Sequence, residues 1–389
     1  MSASESKRRQ DRMRRGWKFG LRPAFSTRAK SRPVAPLPAR MTLPLRAQPT
    51  PDEARRVEWI DVAKGVAIFL VVVGHITGGL LSQSALQPAA RWQAIYDWIY
   101  LFHMPVFLFL AGWLVRQRRS GPAARSIARY TSTLLYPYFL WGILTWLFHL
   151  GGDSLGATNH PTSLWVPLEL IYNPQAGPWF LHILFLLHVL WLFGERSKVA
   201  RGVLFGLALA VQVFDYSRGG PIIFTLCRTA IYYALGFELA GILAARPWNL
   251  PRPAALAAAL ACFGAMTALF IFQPAAPALR LLLPGCLGTV GTLLLARGFE
   301  GFAWMAPVEW AGRHSLAIYV LHAFAPPFVR WIFVSRLHVT DGVPILAAGV
   351  VAAFASVVVV VWAEQRFGLT WLFRWPTRRP SPAAPLPVY

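Results

Sequence analysis

Acidic residues are scarce in this chain of 389 residues: 16 Asp and Glu stand against 38 Lys and Arg, a formal net charge of +22. Cysteine is scarcer still. Cys227, Cys262 and Cys286 all lie in apolar segments without pairing or metal-ligand spacing, which argues against a disulfide scaffold or a zinc ribbon and leaves reduced core residues. The G-x-S-x-G elbow, the P-loop, the HExxH helix and the G-x-G-x-x-G turn are all missing, so the usual soluble hydrolase, nucleotide and dinucleotide chemistries have no foothold. No apolar run precedes Val57, so no signal-peptide core is expected there. Only 14% of the residues are charged, too few for an ordinary soluble surface.

What is abundant is apolar surface, at 56% of residues. Runs of roughly 20 apolar residues recur, each long enough to cross a hydrocarbon core of about 30 Å as a helix. Transmembrane β-strands alternate polar and apolar residues, and continuous runs such as "LAIYVLHAF" do not. The expected fold is therefore all-α, a polytopic transmembrane bundle of about ten helices. Spans are expected at 57–81, 95–115, 131–150, 177–194, 200–214, 221–245, 254–273, 279–296, 314–334 and 343–363. The shortness of the fifth and the "APP" in the ninth leave nine to eleven crossings open.

The positive charge is distributed by loop. Much of it falls before residue 57, and the rest in alternate loops, including Arg116, Arg118, Arg125, Arg129, Arg196 and Lys198. That asymmetry is the positive-inside pattern: it places both termini in the cytoplasm of an inner-membrane protein, and it explains the charge without nucleic-acid binding. Residues 1–56, rich in Arg, Pro, Ser and Ala, are expected to be a disordered basic cytoplasmic segment, 57–367 the membrane domain, and 368–389 a cytoplasmic tail. Met41 is a second candidate start. The longest external loop, 151–176, is polar with aromatic punctuation and could cap a cavity. No internal repeat is visible.

Some polar residues nevertheless fall at membrane depth. In "WIDVAKGVAIFLVVVGHI", Lys64 and His75 are eleven positions apart, three helical turns plus about 20°, so they share a face, with His75 roughly 16 Å deeper. Asp61, three positions before Lys64, is within ion-pair reach. A stripe carrying an acid, an amine and an imidazole costs several kcal/mol against lipid and should face the bundle interior or a wet cavity. The plainer alternative is a packing hydrogen bond for His75 and a snorkelling Lys64. In the second span Pro105 cannot donate to the Leu101 carbonyl, so the helix should kink beside His103, which becomes either a site wall or a structural hydrogen bond. Arg228 in "FTLCRTAIYYALGFELAG" is a candidate anion contact, about 15 Å along its helix from Glu238 and so not its partner. His182 and His188, six positions apart, point to nearly opposite faces and do not share a metal; His322 lies deep in the ninth span, and His314 nearer its cytoplasmic end. Imidazoles in a membrane cavity suit proton transfer near neutral pH.

Taken together, "IDVAKGVAIFLVVVGH", "FHMPVFLFLAGWL", "GPWFLHILFLLH" and "GRHSLAIYVLH", in this order, resemble the acyltransferase 3 family of integral-membrane acyltransferases, in particular its fucose 4-O-acetylase-like branch. Members are marked by a basic residue, ten intervening residues and a histidine in the first helix, here Lys64 and His75; most have Arg at the first position. The resemblance implies about ten helices and transfer of an acyl group, commonly acetyl from acetyl-CoA, to a hydroxyl of a cell-envelope carbohydrate, with no bound cofactor or metal. It implies His75 as general base, helped by His103, with Asp61 orienting Lys64. Lys64 and Arg228 would meet coenzyme phosphates or the developing oxyanion, and Trp179 and His322 would line the substrate site. The partners are then acyl-CoA, an envelope glycan and the bilayer. Two other readings stay open from the residues alone: a proton-coupled transporter or flippase of a lipid-linked saccharide, and a structural subunit whose polar groups glue helices together.

Overall fold

The computed structural model describes residues 58–376 apart from 119–120, 155–161, 215–220, 244–249, 275, 277–279, 281 and 340. All of this belongs to the compact unit Arg56–Tyr389. The expected basic segment 1–56 and the tail beyond 376 lie outside the described residues, as does part of the loop 151–176.

Among the described residues the regular structure is entirely helical. In chain order the principal helices are α1 (Glu58–Leu81), α2 (Ala89–Tyr100), α3 (His103–Gln117), α4 (Ala123–Tyr130), α5 (Tyr136–Ser154), α6 (Val166–Tyr172), α7 (Trp179–Arg196) and α8 (Lys198–Phe214). They continue with α9 (Pro221–Leu243), α10 (Arg252–Phe272), α11 (Leu283–Phe299), α12 (Ala306–Arg313), α13 (Ser315–Leu321), α14 (Ala325–Ser335) and α15 (Gly342–Phe367). Six helical stretches are long and apolar enough to cross a membrane, seven if the bent pair α13–α14 is one span. The segments expected at 200–214, 221–245 and 279–296 are also helices, α8, α9 and α11, but fall outside that count.

Burial sorts the helices into centre and rim. The apolar stretch of α1 is 72% buried and that of α2–α3 78%, against 17% for α10 and 28% for α15. The first two are therefore central, and the others present most of their surface outward, as lipid-facing helices do. α1 packs on α2, α3, α11, α12, α13 and α15. Small residues make the closest approaches: Gly65 lies against the Val308 carbonyl, Gly312 against the Asp61 carbonyl, Gly112 against the Tyr233 carbonyl and Gly236 against the Phe109 backbone. Van der Waals packing of this kind replaces the hydrophobic drive that lipid removes.

Proline supplies the breaks. Pro105 has no N–H for the Leu101 carbonyl, and the second span is interrupted at Leu101–Phe102, immediately before His103. In the ninth span Pro326 and Pro327 cannot donate to the carbonyls of His322 and Ala323, and α13 and α14 are bent by 43° across those residues. Each break brings a histidine to a helix end beside the central helix α1.

Candidate active site

α1 carries polar groups at both ends. Asp61 is 3% exposed and Lys64 1%, both enclosed where α1 meets α12, so Lys64 does not snorkel to an interface. His75 behaves oppositely. Its neighbours Gly74 and Ile76 are buried while its own side chain is exposed, because its ring opens into a cavity of about 710 Å³. Lys64 and His75 are eleven positions apart, a rise of about 16 Å.

Four rings form a line through three spans. His322 meets His75 edge to face at 4.8 Å between centroids; His75 stacks beside Tyr100 at 6.2 Å; Tyr100 meets His103 at 4.6 Å. His103 Nδ1 lies 2.7 Å from the Ile99 carbonyl, and His322 Nδ1 2.6 Å from that of Tyr319. A carbonyl oxygen only accepts, so both Nδ1 atoms carry hydrogen and, in the neutral rings, both Nε2 atoms are left as acceptors. His322 Nε2 is buried and has no hydrogen-bond partner. His75 is thus an accessible imidazole backed by a buried one whose lone pair is unused.

His75 and His322 sit on the cavity wall with Gln83, Phe148, His149 and Arg330. The cavity lies toward the C-terminal end of α1, and Gly151 and Gly152, in the last turns of α5 where a loop was expected to begin, also face it. Its volume falls in the usual range of about 300–1,000 Å³ for small-molecule sites. Tyr319 holds a further joint together: its Oη accepts the Phe180 N–H at 3.1 Å, tying the start of α7 to α13. A void of about 30 Å³, lined by Ile68, Met104, Phe107, Phe180, Ser315 and Tyr319, lies between α1, α3, α7 and α13 on the Lys64 side of His75.

The expected site residues do not all gather. His75 and His322 meet, with His103 one ring away. Asp61 and Lys64 belong to the other end of α1. Trp179 is half-buried at the start of α7, packed on Phe180, and Arg228 is exposed on α9; neither lines the cavity. Glu238 pairs with Arg201 of α8 at 2.8 Å, not with Arg228. His182 packs on Tyr138, and His188 on Tyr130 and Tyr233 with its Nδ1 donating to the Leu184 carbonyl at 2.7 Å, two separate buried environments. Cys227, Cys262 and Cys286 form no disulfide among the described residues. Among the described residues, no group of three or more His, Cys, Asp or Glu is placed to hold a metal.

Tyr100, Tyr319 and Arg330 were not singled out from the sequence. A signal for the tyrosines was present: "YLFHMP" and "YVLHAFAPP" share a Tyr three positions before a His and a Pro shortly after it. The (i, i+3) spacing puts each tyrosine on its histidine's side, and the proline makes the break.

The acyltransferase domain model of the acyltransferase 3 family matches residues 57–363. The chain is also similar to nodulation protein NolL of Mesorhizobium japonicum, 35% identical over 92 residues, which cover 22% of this chain and 23% of that protein. The chain therefore aligns with about a quarter of the length of that curated relative. No solved structure matches it.

Proposed function

Because the chain belongs to the acyltransferase 3 family, we propose that it moves an acyl group, acetyl from acetyl-CoA, to a hydroxyl of a cell-envelope carbohydrate from within the inner membrane, both termini being cytoplasmic. The observation that carries the reading is the His75–His322 pair, one imidazole open to a cavity and the other buried behind it with a spare acceptor.

His75 takes the proton of the acceptor hydroxyl as that oxygen attacks the thioester carbonyl. The C–S bond then breaks, and the proton passes on to the leaving thiolate. A positioned base of this kind contributes about 10²–10⁴ in rate. The His322 ring, edge to face with His75, brings a spare acceptor beside the charge that develops there, and Tyr100, itself packed on His103, flanks the His75 ring. The cavity at the C-terminal end of α1 receives the acceptor. At the cytoplasmic end, the buried Lys64, oriented by Asp61, suits the anionic part of the coenzyme, whose long thiol arm then spans the interval to His75.

The test is a deletion strain complemented with wild type or His75→Ala, with membrane abundance of both proteins matched and envelope glycans weighed by mass spectrometry. An acyl mass increment seen only with wild type supports the reading. Full restoration by His75→Ala removes the base. No acyl increment on any glycan with wild type, together with movement of a lipid-linked saccharide in vesicles, replaces the enzyme with a transporter.

A further inference from the structure

Resting on the acyl-transfer reading, we propose that the acceptor is an anionic oligosaccharide, carrying a uronate carboxylate or a phosphate ester, and that Arg330 binds that anionic group at a sugar unit neighbouring the one that is acylated.

The chemistry of the cavity wall points this way. It carries one guanidinium, Arg330, and three imidazoles, His75, His149 and His322, and among its described lining residues there is no Asp or Glu. Arg330 is half-buried on α14, and its Nη1 donates to Gln83 Oε1 at 2.7 Å. That bond joins α14 to the turn after α1 and fixes the plane of the fork, and a planar fork with five donors matches a carboxylate or phosphate in a way that a lysine does not. Desolvation inside a membrane protein makes a cation costly, and such residues mark substrate paths. Phe148 and Phe328 stand exposed on the same wall, at 36% and 55%, and offer flat ring faces to the C–H surface of a sugar.

Gln83 lies in the turn after α1, eight positions beyond His75, so the guanidinium it holds and the reacting imidazole occupy different parts of one cavity wall. An oligomer can engage both groups, with its charge on one unit and its reacting hydroxyl on another.

The experiment uses the full chain in nanodiscs of phosphatidylcholine, which carries no net charge, with three probes: trigalacturonate, a galactose trimer bearing one 6-phosphate, and the neutral galactose trimer. Binding is read by calorimetry, and acetyl transfer from acetyl-CoA is read separately by mass. Wild type should bind one of the anionic trimers at least about ten-fold more tightly than the neutral one, the size of a charge-assisted contact. The better of the two anionic probes identifies the source of the charge. Arg330→Gln should lose the preference yet still bind the neutral trimer, which shows that it is folded; Arg330→Lys should keep part of it. Equal binding of the three trimers by wild type, absence of binding by any, or an undiminished preference in Arg330→Gln overturns the proposal. Anionic preference without acetyl transfer by wild type leaves Arg330 as an anion site and refutes the acyl-transfer reading instead.

Discussion

Replacing His322 by Phe separates a catalytic pair from two packed rings. Phe keeps a ring against His75, where the centroids are 4.8 Å apart, and removes only the nitrogens. Nδ1 is engaged by the Tyr319 carbonyl at 2.6 Å, so the group lost from the site is Nε2, buried and without a partner in the resting protein. Its value appears only when His75 becomes an imidazolium. A hydrogen bond to a charged group is worth about 1.5–3 kcal/mol, which corresponds to about 10- to 150-fold in rate. Because the interaction develops with the charge, the loss should fall on kcat and leave KM for both substrates nearly unchanged. The assay is the initial rate of acetyl transfer from acetyl-CoA to an isolated envelope glycan by protein in nanodiscs, with thermal midpoints measured alongside, since the Tyr319 carbonyl also loses its donor. His75→Ala should cost about 10²–10⁴, and adding His322→Phe to it should cost almost nothing more, because a partner without a base has nothing to assist. A His322→Phe rate within three-fold of wild type, a loss confined to KM, or additive effects in the double variant would each refute the pairing.

Three other outcomes follow from the packing. Gly112→Ala and Gly236→Ala drive a methyl into the backbone of the facing helix and should each cost about 1–3 kcal/mol; an unchanged thermal midpoint would mean that α3 and α9 do not touch there. His188→Phe keeps the ring contacts with Tyr130 and Tyr233 far from the cavity, so turnover should fall by less than about ten-fold, well short of the loss of a base; a larger drop at equal stability would bring His188 into the chemistry. Tyr319→Phe strands the buried Phe180 N–H and should destabilise by about 1–3 kcal/mol, read as a lower thermal midpoint of protein that still binds acceptor.

The line from Lys64 to His75 was legible because both lie on one helix, where 100° per residue converts spacing into direction. The break at His103 was legible for the same reason: Pro105 acts on a carbonyl four positions away. Arg228 shows the limit. Counting along the sequence places it at membrane depth, but which way it faces is decided by the seam between α3 and α9, and α9 presents it outward. Arg330 and Gln83 show the same limit in reverse. They stand 247 positions apart, and their bond exists only because α14 turns back over the end of α1.

The two polar ends of α1 set a constraint on any passage between them. Gly65 and Gly312 lock α1 to α12 backbone against backbone, so Lys64 and His75 keep their separation of about 16 Å. The intervening void, at about 30 Å³, holds a few waters at most. A thioester arm reaching His75 along α1 therefore requires the walls of that void to part, and α1 is the wall least able to move. The other walls are α7, together with α3, which begins at the Pro105 break, and α13, which ends at the Pro326 break. Both α3 and α13 have lost backbone hydrogen bonds at the end nearest His75, so displacing either costs less there than displacing a continuous helix. The prolines that bring His103 and His322 to the site thus also leave its two most movable sides.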